Sequence, residues 1–106
     1  EARAAGKPVL IDFTADWCIT CKANKRTSIE IESVRAVLKE HGVVAMTGDY
    51  TNKDPRITKV LQEHRRSGVP LVLIYSPGEN KPEVLPVMLT PQIVLDALEN
   101  TGKFSP

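Results

Sequence analysis

Pro8-Val9-Leu10-Ile11-Asp12-Phe13-Thr14 is a short apolar run rich in β-formers. It breaks off at Ala15-Asp16-Trp17-Cys18 and gives way to polar helix formers from Lys22 to Arg26. A run of this kind marks a buried strand, and the change of pattern predicts strand, short turn, helix. Whatever the chain folds into must therefore place that junction at the rim of a covered sheet.

The remainder fits an alternating architecture. Ile31, Val34, Val37 and Leu38 have helical spacing, with Gly42 as the stop. Val43 to Met46 reads as a second strand running on toward Asp49. Asp54 is placed as an N-cap with Pro55 at the first helical position, and Ile57, Val60 and Leu61 supply the apolar face of the helix that follows. Leu71 to Tyr75 is a third strand, Ser76 to Pro82 a turn, and Val84 to Met88 a fourth strand. Thr90-Pro91 caps a last helix with Ile93, Val94, Ala97 and Leu98 inward. The order β, α, α, β, α, β, β, α predicts an α/β fold with a parallel core and an antiparallel edge pair.

A chain of 106 residues is one domain, 1–106, with residues 1–6 and 102–106 expected to fray. The opening Glu1-Ala2-Arg3 reads as a piece cut from something longer. A hydrophobic share of 42% supports a core without metal or a disulfide framework. The net charge of +1 gives no strong pull toward nucleic acid or an anionic membrane. The longest apolar run, Val69 to Tyr75, is too short to cross a bilayer.

The chemistry is concentrated in the two cysteines, Cys18 and Cys21. A disulfide across so small a loop restrains little of the unfolded chain, so the spacing favours reactivity over scaffolding. Positions i and i+3 share a helix face, which lets the two sulfurs bond. Cys18 falls where free backbone N–H groups and the helix dipole favour an anion, which draws its pKa toward neutrality. Cys21, one turn deeper, is placed to resolve a mixed disulfide. A zinc site is the poorer reading, because His41 and His64 fit no finger spacing, and haem attachment would need His where Lys22 stands.

Three further positions are candidates. Asp12 interrupts an apolar strand, which is costly without a task or a partner. Burial would raise its pKa and let it accept the proton of Cys21 through water, the bland alternative being a strand-end Asp paired with a Lys. Pro70 opens a predicted interior strand, where Pro is unwelcome. Either it is a plain strand-opening Pro, or a cis bond there exposes the Val69 backbone beside the thiols for a substrate strand. Trp17, the single Trp, either shields the disulfide and offers a contact surface or belongs to the core.

Val9-Leu10-Ile11-Asp12-Phe13, Ala15-Asp16-Trp17-Cys18-Ile19-Thr20-Cys21-Lys22 and Gly68-Val69-Pro70 together resemble the thioredoxin family. The resemblance implies the thioredoxin fold, a central mixed sheet of about four strands flanked by helices. It also implies Cys18 as nucleophile, Cys21 as resolving thiol, Asp12 as the buried acid and Pro70 as a cis proline, with Trp17, Val69 and Pro70 contacting substrate. Thioredoxin itself has Gly-Pro where this chain has Ile19-Thr20. That dipeptide, the flanking Lys22-Ala23-Asn24, the run Tyr50 to Pro55 and Arg66-Ser67-Gly68-Val69-Pro70 are similar to the C-terminal periplasmic domain of DsbD-type and ScsB-type transmembrane reductases. That resemblance implies a protein-disulfide reductase without cofactor beyond the Cys18–Cys21 pair, and a monomer that binds no nucleic acid. It would be the soluble part of a bacterial inner-membrane protein, taking electrons from that protein's membrane-embedded dithiol. It would pass them to thioredoxin-like or immunoglobulin-like periplasmic domains that serve disulfide isomerases and cytochrome c biogenesis. Many members of that group carry Glu four residues after the second Cys; here it is Lys25, a cation expected to favour thiolate. The rival readings are a free-standing periplasmic or cytosolic thioredoxin-like reductase and a non-catalytic binding module on the same fold. A DsbA-type oxidase needs an inserted helical domain for which the chain has no room.

Overall fold

The computed structural model describes residues 7–77 and 81–102, the last two by backbone alone. The expected fraying at residues 1–6 and 102–106 lies outside the described residues except at residue 102, which is helical, and the centre of the Ser76 to Pro82 turn lies outside them too. The elements are β1 (Val9–Thr14), α1 (Ile19–Asn24), a π-helical turn (Lys25–Ile29), α2 (Glu32–Glu40), β2 (Val44–Asp49), α3 (Pro55–Glu63), β3 (Leu71–Tyr75), β4 (Glu83–Val84) and α4 (Pro91–Gly102). The sheet order is β2-β1-β3-β4. This is the α/β, mixed four-stranded sheet that the thioredoxin resemblance implies.

The parallel core expected from the alternation of elements is confined to one pair among the described residues: β1 runs parallel to β2 but antiparallel to β3. The register gives the reason. Thr14 pairs with Asp49 and Phe13 with Leu71, so β2 leaves and β3 enters at the same end of the sheet, the carboxyl end of β1. α3 and the 64–70 link carry the chain out and back to that end, so β3 must run against β1. The antiparallel edge pair is present, with Leu73 opposite Val84 and Ile74 opposite Glu83.

The fourth strand is shorter than expected, Glu83–Val84 rather than Val84 to Met88. The Leu85 N–H still donates to the Val72 carbonyl at 3.0 Å. The next hydrogen-bonded pair in this register would set Val87 against Pro70, which has no N–H to offer, so the ladder stops there. The helix after the cysteines also departs from a plain α-helix. Thr27 Oγ1 donates to the Ala23 carbonyl at 2.8 Å, and the Glu30 N–H reaches back five residues to Lys25 at 2.6 Å. A hydroxyl competing for the i−4 carbonyl favours such a widened turn.

The predicted caps are in place. Asp54 accepts from the Arg56 N–H at 2.8 Å with Pro55 opening α3, and Thr90 Oγ1 accepts from the Ile93 N–H at 3.2 Å. Gly42 follows α2 with φ +64°, a left-handed residue that glycine adopts without steric cost.

Core residues divide between the two sheet faces. Leu10, Val72 and Ile74 pack with Val34, Val94, Ala97 and Leu98 from α2 and α4. Phe13, Leu71 and Leu73 pack with Leu61 of α3, Tyr50 and both cysteines. Strand alternation thus puts the cysteines under the Phe13 face and Asp12 on the Leu10 face.

Gly48 lies opposite Phe13 across the β1–β2 pair, and a Cβ there would overlap the Phe13 ring edge, 2.6 Å from Cε1. We expect Gly48→Ala to destabilise the domain by about 1–3 kcal/mol, the usual range for overpacking. Urea melts of the oxidised protein check this, with a shift of midpoint at unchanged slope as the expected outcome.

Candidate active site

The three segments that bear the predicted site residues meet at the carboxyl end of β1: the 15–18 turn, the 50–54 loop after β2, and the 68–70 loop before β3. Cys18 is the N-cap of α1, with φ −94° and ψ 102°, and its Sγ accepts the Cys21 N–H at 3.1 Å. A sulfur in that place receives one of the free donors of a helix start, the arrangement that favours a thiolate once the bond is reduced. Cys18 and Cys21 are joined as a disulfide with their Cα atoms 5.3 Å apart. Cys18 is 7% exposed and Cys21 2%, so the expected ordering holds, although Cys18 is more covered than a free surface thiol.

Trp17 is not a core residue; it is 51% exposed. Its indole N–H donates to the Thr51 carbonyl at 3.0 Å, its ring is tilted against Tyr50 with centroids 6.4 Å apart, and Lys53 Nζ lies 6.0 Å from its centroid. The turn that aims Trp17 is held by a relay the sequence did not reveal. Asp49 accepts from both the Thr51 N–H and hydroxyl, and Thr51 Oγ1 accepts from the Asp16 N–H at 2.9 Å. Those two bonds from Thr51 hold the Asp49 carboxyl below its ordinary pKa.

The Val69–Pro70 peptide bond is cis, Pro70 is buried, and Val69 packs against the cluster containing both cysteines. Asn24 and Arg66 belong to the runs that carry the family resemblance, but nothing in the sequence gave either a role of its own. Asn24, one turn beyond Cys21 and buried, donates Nδ2–H to the Val87 carbonyl at 2.8 Å and accepts the Leu89 N–H on Oδ1 at 3.1 Å. Arg66 donates from Nη1 to the Pro70 carbonyl at 3.1 Å and from Nη2 to the Leu85 carbonyl at 2.8 Å.

Asp12 is 5% exposed and its pKa is raised, chiefly because burial disfavours the carboxylate. Lys25 opposes that effect and Glu30 adds to it. Asp12 borders a cleft of about 190 Å³ shared with Lys25, Glu30, Arg35 and Thr47; neither cysteine lines it. Lys25 therefore favours the charged form of Asp12, an effect the sequence did not suggest. Among the described residues no group of three or more His, Cys, Asp or Glu side chains converges as a metal site.

The thioredoxin-like family model matches residues 1–77. The chain belongs to the thioredoxin-like family. Within that family it is similar to the thiol:disulfide interchange protein DsbD 1 of Pseudomonas aeruginosa, 38% identical over 78 residues that make up 74% of this chain and 13% of that protein. It is also similar to the DsbD of Vibrio cholerae, 31% identical over 104 residues, 96% of this chain and 17% of that one. Among solved structures it matches the oxidised C-terminal domain of Neisseria meningitidis DsbD with 26% identity and a TM-score of 0.72, over 90% of this chain and 80% of that domain. A thioredoxin from Thermus thermophilus shares the fold, with a TM-score of 0.74 at 18% identity. This thioredoxin-like domain is thus of the DsbD type, and it spans about an eighth to a sixth of the length of the relatives it matches. No helix among the described residues is long and apolar enough to cross a membrane.

The raised pKa of Asp12 has a stability consequence with a definite sign. A group whose folded pKa lies above its unfolded value contributes fully below the unfolded pKa, here the ordinary 3.8, and that contribution is lost as pH rises through the folded pKa. We expect Asp12→Asn to match the wild type near pH 3.5 and to exceed it in thermal stability by a margin that grows as pH rises toward 8. Each ~1 kcal/mol of gain raises Tm by about 4–8 °C in a domain this size. Melts of both oxidised proteins across that range check it; a margin independent of pH would show that the Asp12 carboxylate is not destabilised by burial.

Proposed function

We propose that this domain is a protein-disulfide reductase that receives electrons from a membrane-embedded dithiol and passes them to disulfides of periplasmic partner proteins. The observation that carries the reading is the placement of Cys18 Sγ at the N-cap of α1, with Cys21 covered one turn below it. The similarity to DsbD proteins supports the source and destination of the electrons.

The reaction follows from that arrangement. The Cys18 thiolate attacks one sulfur of the substrate disulfide; a Cys18–substrate bond forms, the substrate S–S bond breaks, and the departing sulfur takes a proton. Cys21 then loses its proton and attacks Cys18 Sγ. The Cys18–Cys21 disulfide forms, the second substrate thiol leaves, and two electrons have passed from the domain to the substrate. Asp12 is the proton acceptor for Cys21, and it acts through water, since neither cysteine lines the cleft that Asp12 borders. Burial keeps its pKa raised, which suits a base that works near neutral pH. Val69, held beside the cysteines by the cis bond to Pro70, offers its backbone to an extended substrate strand. Trp17 covers one side of the disulfide and presents an aromatic contact. Reduction of the new disulfide by the membrane dithiol completes the cycle with no cofactor. Passage of those electrons onward to disulfide isomerases and to cytochrome c biogenesis, through thioredoxin-like or immunoglobulin-like domains, is the physiological role that fits.

We expect Cys18→Ser to lower insulin-disulfide reduction to the uncatalysed rate, and Cys21→Ser to accumulate a mixed disulfide on Cys18 visible on non-reducing gels. Trapping on Cys21 in the Cys18→Ser protein, with none in Cys21→Ser, would reverse the two roles.

A further inference from the structure

The Leu85–Leu89 segment has little regular structure to hold it. β4 pairs only at Glu83 and Val84, and Pro70, which the register would set opposite Val87, has no N–H to continue the ladder. Leu85 and Leu89 are buried in the core, while Val87 and Met88 between them are 44% and 67% exposed. A stretch that buries its ends and exposes two large apolar side chains needs fixed anchors if those side chains are to keep one position.

The anchors come from the two segments that carry the exchange site. Asn24 lies on α1, three residues after Cys21, and engages Val87 and Leu89 with both ends of its amide. Arg66 precedes the cis-proline loop by a few residues and spans from the Pro70 carbonyl to the Leu85 carbonyl. Both side chains therefore bond backbone, and each ties the Leu85–Leu89 segment to a different wall of the site. An Asn within a helix and a half-buried Arg bonded to two carbonyls are expensive ways to fill space, and an apolar side chain would do that better.

We propose that Asn24 and Arg66 are positioning residues for thiol–disulfide exchange. Together they lock the Leu85–Leu89 segment against α1 and the Pro70 loop, so that Val87 and Met88 form a fixed apolar rim for the residues flanking a protein substrate's disulfide. The inference rests on the exchange chemistry proposed above and deepens it. It assigns the choice between protein disulfides and small disulfides to a wall that neither cysteine belongs to. A small disulfide needs only Cys18; a protein disulfide must also seat its neighbours on the rim.

The test compares two substrates, insulin turnover with dithiothreitol as reductant and the single-turnover reaction of the reduced domain with the small aromatic disulfide DTNB. We expect Arg66→Ala and Asn24→Ala each to raise KM for insulin about tenfold with kcat within about twofold, a loss of binding rather than of chemistry. Their DTNB rates stay within about twofold of wild type. Arg66→Lys, which reaches one carbonyl instead of two, lies between. In the wild type the Leu89 amide, bonded to a side chain outside any strand, exchanges with solvent as slowly as a structured amide, and Asn24→Ala speeds it. Should the clamp variants fail to fold, Val87→Ser with Met88→Ser removes the rim itself from an exposed surface, and the same rise in KM is expected. An unchanged KM in the folded clamp variants or in the rim variant, or insulin and DTNB rates that fall in parallel, overturns the inference. A wild-type domain that reduces neither substrate overturns the exchange chemistry itself.

Discussion

The placement of β1 between β2 and β3 is the constraint on which the site depends. Because β1 pairs parallel with one neighbour and antiparallel with the other, three connections converge on its carboxyl end. One delivers Cys18 at a helix start, one delivers Tyr50 and Thr51 under Trp17, and one delivers Val69 and Pro70. None of these segments is regular enough to hold a geometry alone. The strands do it for them, and the short polar bonds among Asp49, Thr51 and Asp16 tighten the join. Rigid strands with functional residues at their exits are a general solution in open α/β sheets.

Burial is divided unequally over the site, and that division shapes its chemistry. Cys21 is sealed while Cys18 keeps a narrow opening, so Cys18 is the sulfur nearer to solvent. Beneath, Asp12 sits where its charge is unwelcome, balanced by Lys25 from the π-helical turn and opposed by Glu30 just past it. The widened turn itself follows from the Thr27 hydroxyl, which takes the carbonyl an ordinary helix would have used. A local competition for one hydrogen bond thus coincides with the stretch that places a cation against the buried acid.

Much of this was legible in the residues. The β1 run, the Asp54 and Thr90 caps, Gly42, and the inward faces of α3 and α4 follow from period and capping chemistry, and the cysteine pair announced its reaction by spacing alone. What stayed hidden depended on partners distant in sequence. The antiparallel sense of β3 depends on where the chain re-enters the sheet, which no local pattern encodes. The early end of β4 depends on the register too, since it is Pro70, opposite Val87, that lacks the N–H to extend the ladder. Asn24 and Arg66 lie in runs that carry the resemblance, yet only their bonds to residues as many as 65 positions away show what they hold.

The direction of electron flow is set by how strongly the reduced dithiol is favoured over the disulfide. A strong oxidant requires a heavily stabilised Cys18 thiolate, as in the DsbA oxidase at ~−120 mV. Here the helix start favours the thiolate, while a buried acid with a raised pKa sits under the same junction, with Lys25 half-buried near it and Lys22 exposed. Equilibration of the domain with glutathione or dithiothreitol buffers, read by the reduced fraction of Cys18 and Cys21, measures the outcome directly. A reductase built this way has a potential on the order of thioredoxin's ~−270 mV; a value above roughly −180 mV, that of protein disulfide isomerase, would contradict it.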